Sequence, residues 1–224
     1  MEIRDKWDEL HSQKRFCPIY PNDRVVAWTF RNFSKDSACQ YKMLDVGCGA
    51  GRHAMFWAAE GYTVSACDFS SAGLDETEKR AQEKDLKISA YLCEADALPF
   101  TDNDFDGILC YGVLYYLPYE RYRNAVREIQ RVLKPGGKAL IVTRTKDDSR
   151  TLRARKIDSF SYRLEKLGED APSDVEAGMV MTMLDLHDIE DIFRVFREIT
   201  IDRCTITSNN RKFVDDDWLV QVTK

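Results

Sequence analysis

Residues 43–53 read MLDVGCGAGRH, and this stretch decides the fold. A short apolar run carries Asp45 near its end, closes at Val46, and is followed by alternating glycines at Gly47, Gly49 and Gly51 before a helix-like segment. A buried strand must reverse tightly here so that the next helix can pack back on the sheet. Glycine permits the reversal at low cost, and the helix N-terminus beyond it offers unpaired amides to an anion. The spacing argues against a dinucleotide, because the third glycine of that fingerprint would fall where Arg52 stands. Asp45 would repel a pyrophosphate and attract an ammonium group, so a zwitterionic amino acid suits the turn better.

This stretch resembles motif I of the class I S-adenosylmethionine (SAM) dependent methyltransferases, specifically the methyltransferase type 11-like small-molecule enzymes. Three later segments carry the same resemblance. A strand from Tyr62 to Cys67 ends in Asp68, about 20 residues past the turn, where an acid can accept both ribose hydroxyls. Phe69 beside it can lie against a purine, and Ser70 or Ser71 caps the next helix. The segment YLCEADALPF, residues 91–100, supplies Asp96 and Ala97 before Leu98, Pro99 and Phe100, and the resemblance implies that Asp96 and Ala97 frame the adenine. In DFDGILCYGVLYYL, residues 104–117, a strand over Ile108 to Cys110 exits through Tyr111, Tyr115 and Tyr116, the exit that in the family faces the reactive methyl and the acceptor. A helix from about Tyr119 to Leu133 then stops at Lys134, Pro135, Gly136 and Gly137 before a strand from Lys138 to Thr145.

The fold expected is α/β: a Rossmann-like seven-stranded, mostly parallel sheet with helices on both faces and a C-terminal antiparallel hairpin. One domain over 1–224 is expected, with an N-terminal helical lid over 1–41, a SAM-binding core over 42–145, an insertion over the acceptor site at 146–181, and a final helix and hairpin over 182–224. With 224 residues, 44% of them hydrophobic, the chain can bury one good core but not two. The net charge of −5 gives no global footprint for nucleic acid. Seven cysteines lie singly without C-x-x-C spacing, suggesting neither a disulfide framework nor a metal site, and a cytoplasmic setting is expected. No secretory leader and no run of 18 apolar residues is visible, so no membrane partner is expected.

Near the N-terminus, Pro21 opens a helix in which Val26, Phe30 and Phe33 form an expected sheet-facing stripe. Trp7, Arg15, Phe16, Tyr20 and Arg24 mix aromatic and basic character suited to a lid. Arg150, Arg153, Arg155 and Lys156 cluster after the fifth strand, either as a solvated face or as a site for an anionic acceptor or RNA phosphate. Asp185 is expected to cap a helix carrying Ile189, Ile192, Phe193 and Phe196 on one side. Two strands close the chain, roughly 198–207 and 218–223.

The sulfonium methyl of SAM is already activated, so the protein mainly aligns a nucleophile and excludes water. A base helps only when the acceptor must lose a proton, and Tyr20, Tyr115 and His187 are the candidates, with Tyr111 a further one. The resemblance implies that Asp45, Gly47, Cys48, Gly49 and Gly51 surround the methionyl part, Asp68 holds the ribose, Phe69, Asp96 and Ala97 frame adenine, and Cys110 and Tyr111 lie by the methionine end. His53 reads as a packing or capping residue, and His11 carries no signal. The fourth strand lacks the Asn/Asp-Pro-Pro-Tyr/Phe motif of many nucleic-acid amino methyltransferases. A small-molecule acceptor is therefore expected, with a monomer or homodimer. An RNA methyltransferase and a non-catalytic SAM-binding protein are the alternatives; an NAD dehydrogenase is a distant further one.

Overall fold

The first strand, β1 (Lys42–Val46), buries Met43, Leu44 and Val46 completely, as a strand covered on both faces must. It lies centrally among five parallel strands with β2 (Thr63–Asp68), β3 (Ile88–Leu92), β4 (Phe105–Tyr111) and β5 (Leu133–Arg144), in the order β3-β2-β1-β4-β5. The computed structural model describes residues 3–166 and 175–224. After β5, strands β6 (Arg155–Lys156), β7 (Ser161–Arg163) and β8 (Val180–Thr182) form a small antiparallel sheet. The chain then returns with β9 (Glu198–Ser208) and β10 (Phe213–Thr223), β10 pairing antiparallel with both β5 and β9. This is the expected Rossmann-like, seven-stranded, mostly parallel sheet with a C-terminal antiparallel hairpin. Strand order reverses between β1 and β4, which opens a crevice at their carboxyl ends.

Helices cover both faces. Two of them, α1 (Ile3–His11) and α2 (Asp23–Asn32), precede β1; α3 (Arg52–Ala59) and α4 (Ser71–Glu83) follow β1 and β2. On one face Trp28 of α2 and Ala54 and Trp57 of α3 pack on Met43, Val64 and Leu140. On the other, α5 (Tyr119–Val132) buries Tyr122, Ala125, Val126, Ile129 and Val132, the helical repeat of one face. Beyond the short α6 (Ser149–Leu152), α7 (Leu186–Phe193) starts in a reciprocal Asp185/Asp188 capping box and sends Ile189, Ile192 and Phe193 into the same core.

Three local expectations are corrected. The buried stripe of α2 is Val25, Trp28 and Thr29, followed by Phe33, whereas Phe30 is largely exposed beside Phe56. Burying Trp28 removes more apolar area than burying Val26. Thr29 is accommodated because its hydroxyl accepts the Trp57 indole N–H at 2.9 Å and donates to the Val25 carbonyl at 2.8 Å. The second correction is at 134–137: β5 already pairs at Leu133 with Phe105, and the glycines fall in a register shift before Lys138 pairs with Gly107. The third is the small sheet itself, since the insertion expected over 146–181 was given no strands; residues 167–174 of that segment lie outside the described residues.

Candidate functional site

A cavity of about 1150 Å³ opens over the carboxyl ends of β1 to β4. Its floor is the glycine turn. Gly47 has φ +70°, and a Cβ there would lie 2.2 Å from Val113 Cγ2, so only glycine lets the turn approach the β4 exit this closely. Asp68 ends β2 almost fully buried, with Oδ2 accepting the Gly49 amide at 2.8 Å and Oδ1 the Ser70 amide at 2.9 Å. Burial pushes its pKa up, while those amides and the nearby His11 pull it down. Beyond β3 the wall continues through Cys93, Glu94 and Ala95.

Over this half lies α1. Its Asp8 accepts the Ser70 hydroxyl at 2.6 Å, His11 Nδ1 shares that hydroxyl at 3.0 Å, and Arg4 pairs with Glu94 at 2.7 Å. Gly73 completes the fit, since a Cβ there would stand 2.8 Å from His11 Nδ1. Trp7 meets Tyr116 edge-on at 5.0 Å. Trp7, His11 and Phe16 all line the cavity. Burial lowers the His11 pKa against the opposing pull of Asp68 and Asp8.

At the β4 exit, the Tyr111 hydroxyl accepts Asn22 Nδ2 at 3.0 Å, and the Arg52 guanidinium stands 5.2 Å from the Tyr111 ring centre. His53, beside it on α3, is buried with Nε2 lacking a partner, and burial drives its pKa down to about 3. Tyr116 donates its hydroxyl to Glu176 Oε1 at 2.7 Å, and Glu176 Oε2 accepts Arg150 Nε at 2.6 Å. The small sheet closes this side, with Ile157, Ser161, Met179 and Val180 on the cavity and Thr182 Oγ1 donating to the Leu117 carbonyl at 2.6 Å.

Of the residues singled out from sequence, the fold brings Gly47, Cys48, Gly49, Asp68, Phe69 and Tyr111 together on the cavity wall. It places five others elsewhere. Asp45 lies beneath the turn, 1% exposed, accepting the Ala54 amide at 3.1 Å; burial lifts its pKa to about 7. Gly51 turns toward α4, where a Cβ would stand 2.7 Å from Thr77. Asp96 pairs with Arg121 and does not itself line the cavity, Ala97 is exposed outside the cavity, and Cys110 is wholly buried in β4 with its thiol pKa pushed up by desolvation.

None of the three candidate bases reaches the cavity wall. Tyr20 is 82% exposed, Tyr115 packs behind the exit with Leu164, Met181 and Met183, and His187 sits exposed on the first turn of α7. The lid residues divide likewise: Trp7 and Phe16 face the cavity, whereas Arg15, Tyr20 and Arg24 do not. Sequence reasoning missed Glu94, Ala95, His11 and His53 as wall residues, whereas Tyr116 stands on the wall at the β4 exit where the sequence placed it. Glu94 was findable as the acid nearest the end of β3. His11 was not, because only the docking of α1 brings it to Asp68.

The wall fits the expected cofactor. Glycines leave the turn open to the close approach of a ligand, a buried acid one strand over suits a ribose, an aromatic and small apolar residues suit a purine, and His53 holds an unmatched polar atom near the turn. Among the described residues no group of acids, histidines and cysteines could hold a metal ion.

Residues 43–137 match the family described as "Methyltransferase domain". Among curated proteins, the methyltransferase GfsG of Streptomyces halstedii is 32% identical over 60% of this chain and 55% of its own length. The tRNA N(3)-cytidine methyltransferase METTL2 of Gallus gallus is 28% identical over 71% of this chain and 45% of its own. The chain spans about half the length of the curated relatives it matches. A solved SAM-dependent methyltransferase from Methanosarcina mazei superposes with a TM-score of 0.70 at 20% identity, covering 92% of this chain and 98% of that one, a likeness of fold. With the glycine turn, the strand-end acid and the sheet order already in place, residues 43–137 are similar to a methyltransferase domain, and the fold is the one seen in solved SAM-dependent methyltransferases.

Proposed function

We propose that the chain transfers the methyl group of SAM to a small-molecule acceptor. The observation carrying this is one continuous cavity that joins the Gly47–Gly49 turn and Asp68 to the β4 exit and the small sheet. SAM, when bound, supplies an activated methyl on a sulfonium. In this reading Gly47, Cys48 and Gly49 take the methionyl part, Asp68 the ribose, and Phe69 with Glu94 and Ala95 the adenine. Tyr111 faces the reacting centre, with its hydroxyl fixed by Asn22. The chain's own contribution is alignment and exclusion of water by α1 and the small sheet, which serve as lid and roof. Tyr116 replaces Tyr115 as the tyrosine nearest an acceptor, and its hydroxyl can pass a proton to Glu176. A monomer or homodimer in the cytoplasm belongs to this proposal; among the described residues no helix is long and apolar enough to cross a membrane.

A relative named for tRNA keeps the RNA reading in view. Against it, Arg150 of the basic cluster spends its charge on Glu176, Asp148 and Asp215. The test is incubation with methyl-labelled SAM and cell extract divided into RNA and low-molecular-mass fractions. Label in the small-molecule fraction is expected. Label in RNA alone would overturn the acceptor class, and tight cofactor binding with no label anywhere would favour a SAM-binding protein without transferase activity.

A further inference from the structure

The half of the cavity beyond the β4 exit is walled by Ile3 and Trp7 of α1, Val113 and Leu117 after β4, and Met179 and Val180 at the small sheet. Ile3 and Val180 stand 38% and 36% exposed at its mouth. Apolar side chains left open at a concave mouth mark where an apolar ligand gains most by leaving water.

The charges around this half are answered from within the protein. Arg4 pairs with Glu94 at 2.7 Å, and Arg121 with Asp96 at 2.5 Å and Glu94 at 3.2 Å. Lys6 pairs with Glu9 at 3.1 Å, and the Asp158 carboxylate takes the Phe160 and Ser161 amides at 2.9 and 2.8 Å. Tyr116 is engaged by Glu176. Burial keeps His11 and His53 on the neutral side of their ordinary range. Arg52 and Asp158 are the exceptions, neither having an ion pair among the described residues; Arg52 belongs to the glycine turn and the Tyr111 ring, and Asp158 stands in open solvent. A phosphate entering here would lose its hydration without finding a free counter-charge on the apolar wall, and an ammonium would find only the solvent-exposed Asp158 carboxylate, a weak partner in water. A neutral, apolar body loses little and covers the wall.

We propose that the acceptor presents an uncharged, apolar or aromatic body to this wall, gripped between α1 and the small sheet; the proposal rests on the methyl-transfer reading of the same cavity. Room for it exists, since a cavity of about 1150 Å³ exceeds the roughly 300–1,000 Å³ typical of a single small-ligand site. Ile3 of α1 and Val180 of the small sheet, both partly exposed, set which bodies enter.

The test is a fluorescence titration with the neutral dye N-phenyl-1-naphthylamine, run on full-length protein saturated with S-adenosylhomocysteine so that only the acceptor half is open. Saturable binding with blue-shifted emission is expected, displaced by neutral indole but not by equal concentrations of choline or phosphoserine. Val180→Glu should weaken the dye about tenfold or more, and Ile3→Glu, at a lining residue on a different element, gives the same reading if the first variant fails to fold. No dye binding to the saturated protein, displacement by choline or phosphoserine as readily as by indole, or unchanged dye affinity in both variants would overturn the inference. Failure of S-adenosylhomocysteine to bind strikes the cofactor reading instead; the dye titration on ligand-free protein, with the same two variants, then decides the wall separately.

Discussion

Arg121 grips Asp96 from two sides, Nε at 2.6 Å and Nη2 at 2.5 Å. The pair holds the Asp96 carboxyl below its ordinary pKa, and the cavity wall after β3 is formed by Glu94 and Arg121 rather than by Asp96. Glu94→Gln should therefore weaken S-adenosylhomocysteine binding by about 1 to 2 kcal/mol through loss of a charge-assisted hydrogen bond. Asp96→Asn should leave that affinity within about twofold and cost less than about 1 kcal/mol of stability, because Arg121 is 42% exposed and solvent screens the pair. Calorimetry on both variants separates the two acids; a large loss with Asp96→Asn and none with Glu94→Gln would reverse their roles.

The sequence carried the seven-stranded, mostly parallel sheet with its hairpin, and it named Gly47, Asp68 and Phe69, which the fold gathers on one wall, for a physical reason. A turn that must approach β4 closely, an acid at a strand end and a helix cap are local requirements, each met by one or two adjacent residues such as Gly47, Asp68 and Ser70. Asp96 was misplaced because two acids flank the exit of β3, and composition does not say which one a distant arginine will claim. The acceptor half was the least legible. Its walls come from α1, the β4 exit and the small sheet, and only tertiary docking puts Trp7, Tyr116 and Met179 in one cavity. His187 looked available as a base from its residue type, yet α7 packs on the sheet face beside α5, away from the crevice.

Gly51 should be intolerant of substitution for reasons of packing rather than binding. Its φ of +77° disfavours a side chain, and a Cβ would meet Thr77 at 2.7 Å. Gly51→Ala should cost about 1 to 3 kcal/mol in urea denaturation. A loss of cofactor affinity with stability intact would contradict this.

Asp45 should make stability depend on pH in an unusual direction. Its pKa rises from 3.8 to about 7 on folding because burial disfavours the charge. The contribution is thus fully present below pH 3.8 and is lost as pH climbs to about 7, since the unfolded chain ionises first. Asp45→Asn keeps an acceptor for the Ala54 amide and removes the titration. The variant should gain stability over the parent by roughly 2 to 4 kcal/mol between pH 4 and pH 7.5. Parallel stability profiles for the two proteins would refute the buried, neutral carboxyl.

Arg150 should behave as a structural cation. It lies largely covered among Glu176, Asp148 and Asp215; Arg144 still pairs with Asp148 and Asp215 when it is removed, but Glu176 loses its cation, so Arg150→Ala should cost about 1 to 3 kcal/mol. Thermal denaturation beside an RNA-binding titration distinguishes this from a phosphate contact, which would leave stability nearly unchanged while lowering salt-dependent RNA affinity.

The most direct test of the cofactor assignment is a calorimetric titration of the full-length protein with S-adenosylhomocysteine, repeated with NADH and with Asp68→Ala. Micromolar binding of S-adenosylhomocysteine alone is expected, weakened by about 1.5 to 3 kcal/mol in the variant as the hydrogen bonds of a buried carboxylate are lost. Equal affinity in the parent and Asp68→Ala, or binding of NADH in place of S-adenosylhomocysteine, would contradict it.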